Sequence, residues 1–231
     1  LYMANKKRKR PNGTSNQNNQ NNKSKNNKKN NNKQTNNKNE MNEKLKQVLL
    51  EKLIENQYHI VGVVCQPDRL VGRKKQLKMP EVKEVALKYD IPVFQPERIK
   101  TDYQTVLDWQ PDMIITAAYG QLIPQAILDY PQLGCINVHA SLLPRYRGGA
   151  PVHYAIINGD QQTGVTIMYM AKKMDAGNII SQRTVDILPV DTVGVLYDRL
   201  SDVGAELLID TLPSIIEGTN DSIEQDESQV T

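Results

Sequence analysis

The sequence predicts an α/β fold with a mainly parallel sheet, and three observations carry that prediction. Short β-rich apolar runs, 60–64, 113–117 and 135–138, alternate with stretches of helical spacing. The runs are apolar at successive positions, the pattern of strands covered by helices on both faces. No internal repeat interrupts that order.

Taken along the chain, globular patterning begins at Asn42, a residue suited to an N-cap, followed at helical spacing by Leu45, Val48, Leu49 and Leu53. Residues 60–64 form the first buried strand, and 81–89 read as a helix entered behind Pro80. Two further buried strands follow at 113–117 and 135–138. Residues 155–157 belong to a short helix after Pro151, and 164–170 and 178–187 read as strands. Asp191 is placed to cap a long helix whose Leu196, Leu200, Val203 and Leu207 share one face. After Pro213 the chain turns polar and acidic, so 214–231 reads as a linker and 43–213 as the folded domain.

Composition divides the chain sharply. Residues 1–42 hold 11 Lys/Arg, one acidic residue and 16 Asn, a net charge of +10. The remaining residues carry 18 Lys/Arg and 25 Asp/Glu, a net of −7, which brings the whole to +3. A segment with so little apolar surface does not offset its ordering entropy, so 1–42 is expected to be a disordered basic tail. The run from Lys6 to Arg10 has the composition of a nucleic-acid arm or import signal, but no aromatic residues accompany it as stacking platforms. Cys65 and Cys135 both sit in apolar runs and read as free buried thiols. No stretch approaches the ~18 apolar residues of a membrane span, and no signal-peptide core follows the basic start. A soluble cytoplasmic protein is the expectation.

The stretch "GCINVHASLLPRYRGGAP" raises the question of chemistry. Asn137 and His139 are two residues apart near a strand end, so both side chains share one face. In doubly wound sheets, ligands gather beyond the carboxyl ends of the strands. Asp175, in the loop "KKMDAGN", is a third candidate. An imidazole steadied by a carboxylate, with an amide donor beside it, suits acyl transfer between nitrogens without a covalent enzyme intermediate. Spacing alone leaves the alternatives open: satisfied polar residues at a strand terminus for Asn137 and His139, and a turn residue for Asp175.

The blocks "INVHASLLPRYRGGAPVHYAIINGD", "TGVTIMYM" and "MDAGNII" resemble the catalytic domain of the methionyl-tRNA formyltransferase family. The resemblance runs from about Val48 to the chain end. It implies a Rossmann-like formyltransferase fold with Asn137, His139 and Asp175 as the catalytic residues. It also implies 10-formyltetrahydrofolate as formyl donor, contacted by Ser141, Leu142, Leu143 and Pro144, and the α-amine of initiator methionyl-tRNA as acceptor. The stretch "CQPDRLVGRKKQLKMPEVK" is similar to the loop by which these enzymes approach the tRNA acceptor stem, which marks Arg69, Arg73, Lys74 and Lys75 as tRNA-binding. Arg145 and Arg147 stay open between substrate contact and structural tie. No metal enters this reading, and a monomer is expected.

The same resemblance implies an apolar first strand and a Gly-Thr-Pro loop where this chain has its Asn/Lys tract, and a C-terminal β-barrel domain after the acidic linker. The expectation is therefore a catalytic domain lacking its central first strand, of low stability and weak or no activity. Two rival functions are carried forward. One is another folate-dependent formyltransferase, acting on glycinamide ribonucleotide or an amino sugar. The other is a noncatalytic nucleic-acid-binding fragment built around the basic tail. A dinucleotide enzyme is disfavoured, because no Gly-x-Gly-x-x-Gly follows a strand.

Overall fold

The computed structural model describes residues 2–5, 33–71 and 76–231. Among the described residues the main sheet has seven strands: β1 (Tyr2–Asn5), β2 (His59–Val64), β5 (Val93–Phe94), β6 (Met113–Thr116), β7 (Cys135–His139), β8 (Gln162–Tyr169) and β9 (Ile179–Asp186). Their spatial order is β5-β2-β1-β6-β7-β8-β9. A separate hairpin, β3 (Arg69–Val71) and β4 (Gln76–Lys78), leaves the carboxyl end of β2. Pairing is parallel between β2 and β5 and between β6 and β7, and antiparallel at the other junctions. Followed across the sheet, β5, β2, β6, β7 and β9 point one way, with β1 and β8 against them. The sheet is thus mainly parallel in direction.

Two apolar clusters cover its faces. On one side α1 (Lys33–Glu55), α2 (Glu81–Lys88), α5 (Pro151–Ile157) and α6 (Val193–Glu217) pack against Met113, Ile115, Ile136 and Val138. On the other, α3 (Gln104–Asp108) and α4 (Gln125–Leu128) pack against Ile114 and Cys135. Successive strand residues alternate between the clusters, which is why the strand sequences are continuously apolar. The same alternation fixes the face of the polar pair on β7: Asn137 and His139 follow Cys135, away from α1 and α6.

The N-terminal expectations are corrected in two places. The centre of the sheet, expected to lack a strand, holds β1. Tyr2 and Ala4 face one cluster and Met3 the other, all buried, and the strand pairs on both edges with β2 and β6. Its four residues precede the Asn/Lys run, and an average over 42 positions conceals them. Residues 33–42, assigned to the tail, are helical, so Asn42 lies inside α1 rather than capping it. Its side chain accepts from the Tyr197 hydroxyl on α6 at 2.7 Å. The expectation of a disordered tail otherwise falls on residues 6–32, outside the described residues.

Differences of the same kind arise at α6. Its cap is Thr192, whose Oγ1 accepts from Val195 N, while Asp191 accepts from Leu188 N and pairs with Arg199. The helix runs past Pro213 to Glu217 and stops at Gly218, whose φ of 67° closes the last turn. The supposed linker folds back over the domain, with Ile223 bridging Ile179 on β9 and Gln225 buried.

No helix of the described residues is long and apolar enough to cross a membrane. Cys65 and Cys135 are free and buried. Burial pushes their thiols up, to about 11 and about 12 respectively. Both therefore stay protonated through pH 8, and the thiolate is the reactive species. An aromatic disulfide reagent should titrate neither cysteine in the native protein on a timescale of minutes and both after denaturation. Rapid release from native protein would contradict their burial.

Candidate active site

The site assembles where β6 and β7 end together. Thr116 is paired with Asn137 across the parallel ladder, so both project from the same face. The Thr116 hydroxyl donates to Asn137 Oδ1 at 2.7 Å, its shortest contact; Ile136 O lies at 3.2 Å and Met170 Sδ at 3.3 Å. With that proton on Oδ1, the Asn137 NH2 group has no protein partner among the described residues. Thr116 was not singled out in the sequence; its signal was the one hydroxyl residue closing the apolar run "MIIT".

His139 is 7 % exposed. Its Nε2 lies 2.9 Å from Tyr146 O, and a carbonyl only accepts, so Nε2 carries a proton and donates. Its Nδ1 faces Asp175 Oδ2 at 3.6 Å, an ion-pair separation too long for a hydrogen bond. Oδ2 itself accepts the Gly148 N–H at 2.8 Å. The ring is thus held by one nitrogen, and the other stands open beside a fixed carboxylate.

Both loops that deliver these groups depend on left-handed backbone. In the loop after β7, Tyr146 has φ 58° and Gly148 φ 93°. This turns one carbonyl toward His139 and one amide toward Asp175. Asp175 sits at φ 48°, where an Asp side chain is among the few tolerated. Two residues on, a Cβ added at Gly177 would stand 1.8 Å from Tyr169 O, so only glycine allows the loop to close on the end of β8.

A cavity of about 450 Å³ opens over this group. Thr116, Asn137, His139, Gly148 and Asp175 lie on its wall with an apolar remainder that includes Leu45, Tyr119, Val152 and Met168. These four apolar residues come from four separated segments, and the sequence analysis gave none of them a place at the site. Among the described residues no group of three or more His, Cys, Asp or Glu could hold a metal ion.

The structure therefore brings Asn137, His139 and Asp175 together on one cavity wall. Ser141, Leu142, Leu143 and Pro144 are not on the cavity wall. Their polar groups are taken up locally: Ser141 Oγ donates to Arg145 O, Thr166 Oγ1 to Ser141 O, Leu143 N to Thr166 Oγ1, and Gln182 Nε2 to Leu143 O. They shape the loop that leaves β7. Arg145 and Arg147 are structural ties: Arg145 pairs with Asp160, and Arg147 with Gln225 and Glu227. Arg69 is exposed on β3, whereas Arg73, Lys74 and Lys75 lie outside the described residues.

Comparison with known proteins adds an independent line. Residues 37–212 match the sequence pattern of the family described as Formyl transferase. The methionyl-tRNA formyltransferase of Staphylococcus aureus strain JH1 is 57% identical over 185 residues, covering 79% of this chain and 59% of that protein. The chain thus spans about three fifths of that relative's length. Among solved structures, a phosphoribosylglycinamide formyltransferase from Bacillus halodurans is similar with TM-score 0.62 and 25% identity, covering 73% of this chain and 88% of that one. The glycinamide ribonucleotide transformylase 1 of Symbiobacterium toebii shares the fold, with TM-score 0.66 at 19% identity over 80% of this chain and 90% of that one.

The contact at Gly177 generates a test. Gly177→Ala should destabilise the protein by about 1–3 kcal/mol, the usual cost of forcing atoms into a packed site, read as a lower urea midpoint. An unchanged midpoint would mean that the loop yields to the methyl group at no cost.

Proposed function

The chain belongs to the formyl transferase family, and from that premise we propose that it transfers the formyl group of 10-formyltetrahydrofolate to the α-amine of initiator methionyl-tRNA. The observation that carries the reading is the convergence of Asn137, His139 and Asp175 on one cavity at the carboxyl ends of β6 and β7. The choice of acceptor rests on the 57% identity to a protein of that name, against 25% for the ribonucleotide enzyme.

The donor fits the cavity by size and lining. About 450 Å³ of mainly apolar wall that also bears Asn137, His139 and Asp175 is of the size and chemistry a folate-type formyl donor would need. Ser141 to Pro144, proposed as donor contacts from the sequence, act in this reading by holding the loop after β7 in shape.

The chemistry is assigned to the chain's own atoms. Asn137 donates its unpartnered N–H to the formyl oxygen as that oxygen gains charge, with Thr116 fixing which end of the amide faces it. His139 takes the amine proton at Nδ1, because Nε2 is already committed to Tyr146 O. Once doubly protonated, the ring has an acceptor on each side, Tyr146 O and Asp175 Oδ2. From there it returns the proton to the departing folate nitrogen, so no covalent enzyme intermediate is needed.

For the tRNA, the hairpin β3–β4 is the proposed contact. It leaves β2 at the same end of the sheet as the cavity, with Arg69, Leu70 and Leu77 exposed and Arg73, Lys74 and Lys75 in its sequence. A salt bridge of Lys83 to Asp68 at 2.7 Å, joined by Gln95, braces its base.

Two measurements check this reading. Asn137→Ala should lower kcat for formylation of methionyl-tRNA by ~10²–10³, the usual cost of one oxyanion donor; turnover near that of the parent would remove Asn137 from its role. Charge reversal at Arg73 and Lys74 should weaken tRNA binding and flatten its salt dependence while donor binding stays unchanged. An unaltered salt slope would take the hairpin out of the interface.

A further inference from the structure

We propose that Gln225 is a positioning residue for the transfer, acting through Asp175; the proposal rests on the formyl transfer reading above. Gln225 is 6 % exposed, yet every polar valence of its amide is engaged. Its NH2 group donates to Asp175 O and to Gly177 O, each at 2.8 Å. Its Oε1 accepts from Arg147 Nε at 3.0 Å and Nη2 at 2.9 Å.

These bonds join the two loops that make the site. One loop carries Tyr146 O and Gly148 N, the partners of His139 and Asp175. The other carries Asp175 itself. Besides Gln225, the two loops are joined by the bond from Gly148 N to Asp175 Oδ2 and, farther out, by Glu227, which pairs with Arg147 and with Lys173. Gln225 is the tie that reaches the backbone of Asp175 itself. With it, the carbonyls on both sides of Ala176 are tied through one side chain to Arg147. The segment that brings Gln225 is anchored at both ends. Ile223 exchanges two 2.8 Å backbone bonds with Ile179, and Thr231 Oγ1 accepts from Tyr146 N at 3.0 Å.

The residue type matters as much as the position. A carboxylate at 225 would oppose two carbonyls, and a lysine would have no acceptor for Arg147. A guanidinium bound straight to Asp175 would neutralise the charge that faces His139. The neutral amide holds that loop by its backbone and leaves the carboxylate to the imidazole.

The test combines hydrogen exchange with turnover in the whole chain. In Gln225→Ala, exchange of the Gly148 amide should quicken on the order of tenfold, the equivalent of one lost hydrogen bond, while the core amide of Ile115 keeps its rate. Turnover should fall on the order of 10²-fold, the scale of a misplaced catalytic group, with KM for both substrates little changed. Asp175→Asn supplies the cycle: in that background Gln225→Ala should cause little further loss. Multiplying losses, or an unchanged Gly148 rate, would overturn the proposal. Gln225→Glu, which keeps the shape and loses the donors, serves with the same expected outcomes where the alanine variant does not fold. Should the unaltered protein transfer no formyl group, the functional reading falls by itself and the Gly148 exchange rate alone decides the clasp.

Discussion

Asp175 Oδ2 lies 2.8 Å from the Gly148 N–H and 3.6 Å from His139 Nδ1, and holding it there takes three separate parts of the chain. The loop after β7 supplies the amide, the loop after β8 supplies the carboxylate, and the segment beyond α6 ties the two together. The two loops use left-handed backbone, costly at Tyr146 and Asp175 and open to Gly148, and a glycine pressed against Tyr169 O. Such conformations persist where the surrounding bonds over-determine them. Here the bonds are enumerable, and the chemistry assigned to His139 depends on all of them.

The antiparallel strand β8 shapes both loops that reach the site. Thr166 stands opposite His139 in the ladder; its hydroxyl donates to Ser141 O, and its Oγ1 accepts from Leu143 N and from Gln182 Nε2. One buried threonine thus fixes how the chain departs from β7. Because β8 runs against β7, its far end returns to Cys135, where Met170 N donates to Cys135 O. The loop carrying Asp175 therefore starts at the amino end of β7 and runs back along it before its carboxylate faces His139.

Much of this was legible in the sequence because it follows period-two alternation. The three buried strands and the shared face of Asn137 and His139 need only spacing and residue type, whereas Asp175, open on spacing as a turn residue, came in through the family resemblance. What escaped was non-local or masked by averages. β1 is four residues beside a long polar run, and composition over that window outweighs them. Asn42 has the chemistry of a cap but is placed to reach Tyr197, 155 positions away. Residues 214–231 look like a linker because most of their side chains are polar, yet the ones that matter bury their polarity in specific partners: Gln225 in two carbonyls and a guanidinium, Thr231 in a backbone amide. Hydropathy reports whether a group favours water. It does not report whether the fold offers that group a better partner.

The charge distribution bears on how a polyanion could be held at all. From residue 43 onward the chain carries a net −7, so at long range that body repels nucleic acid. Screening confines this repulsion to about 8 Å at physiological ionic strength. Within that distance the local arrangement decides, and around the β3–β4 hairpin Arg69, Arg73, Lys74, Lys75 and Lys78 fall within ten positions. Lys83 is spent on Asp68 and Lys78 lies 3.2 Å from Glu81, so in the proposed contact the displacement of counterions from phosphate is assigned to Arg69, Arg73, Lys74 and Lys75. Under the proposed tRNA contact these cations act locally against a body whose long-range field is repulsive, and their effect falls away with added salt.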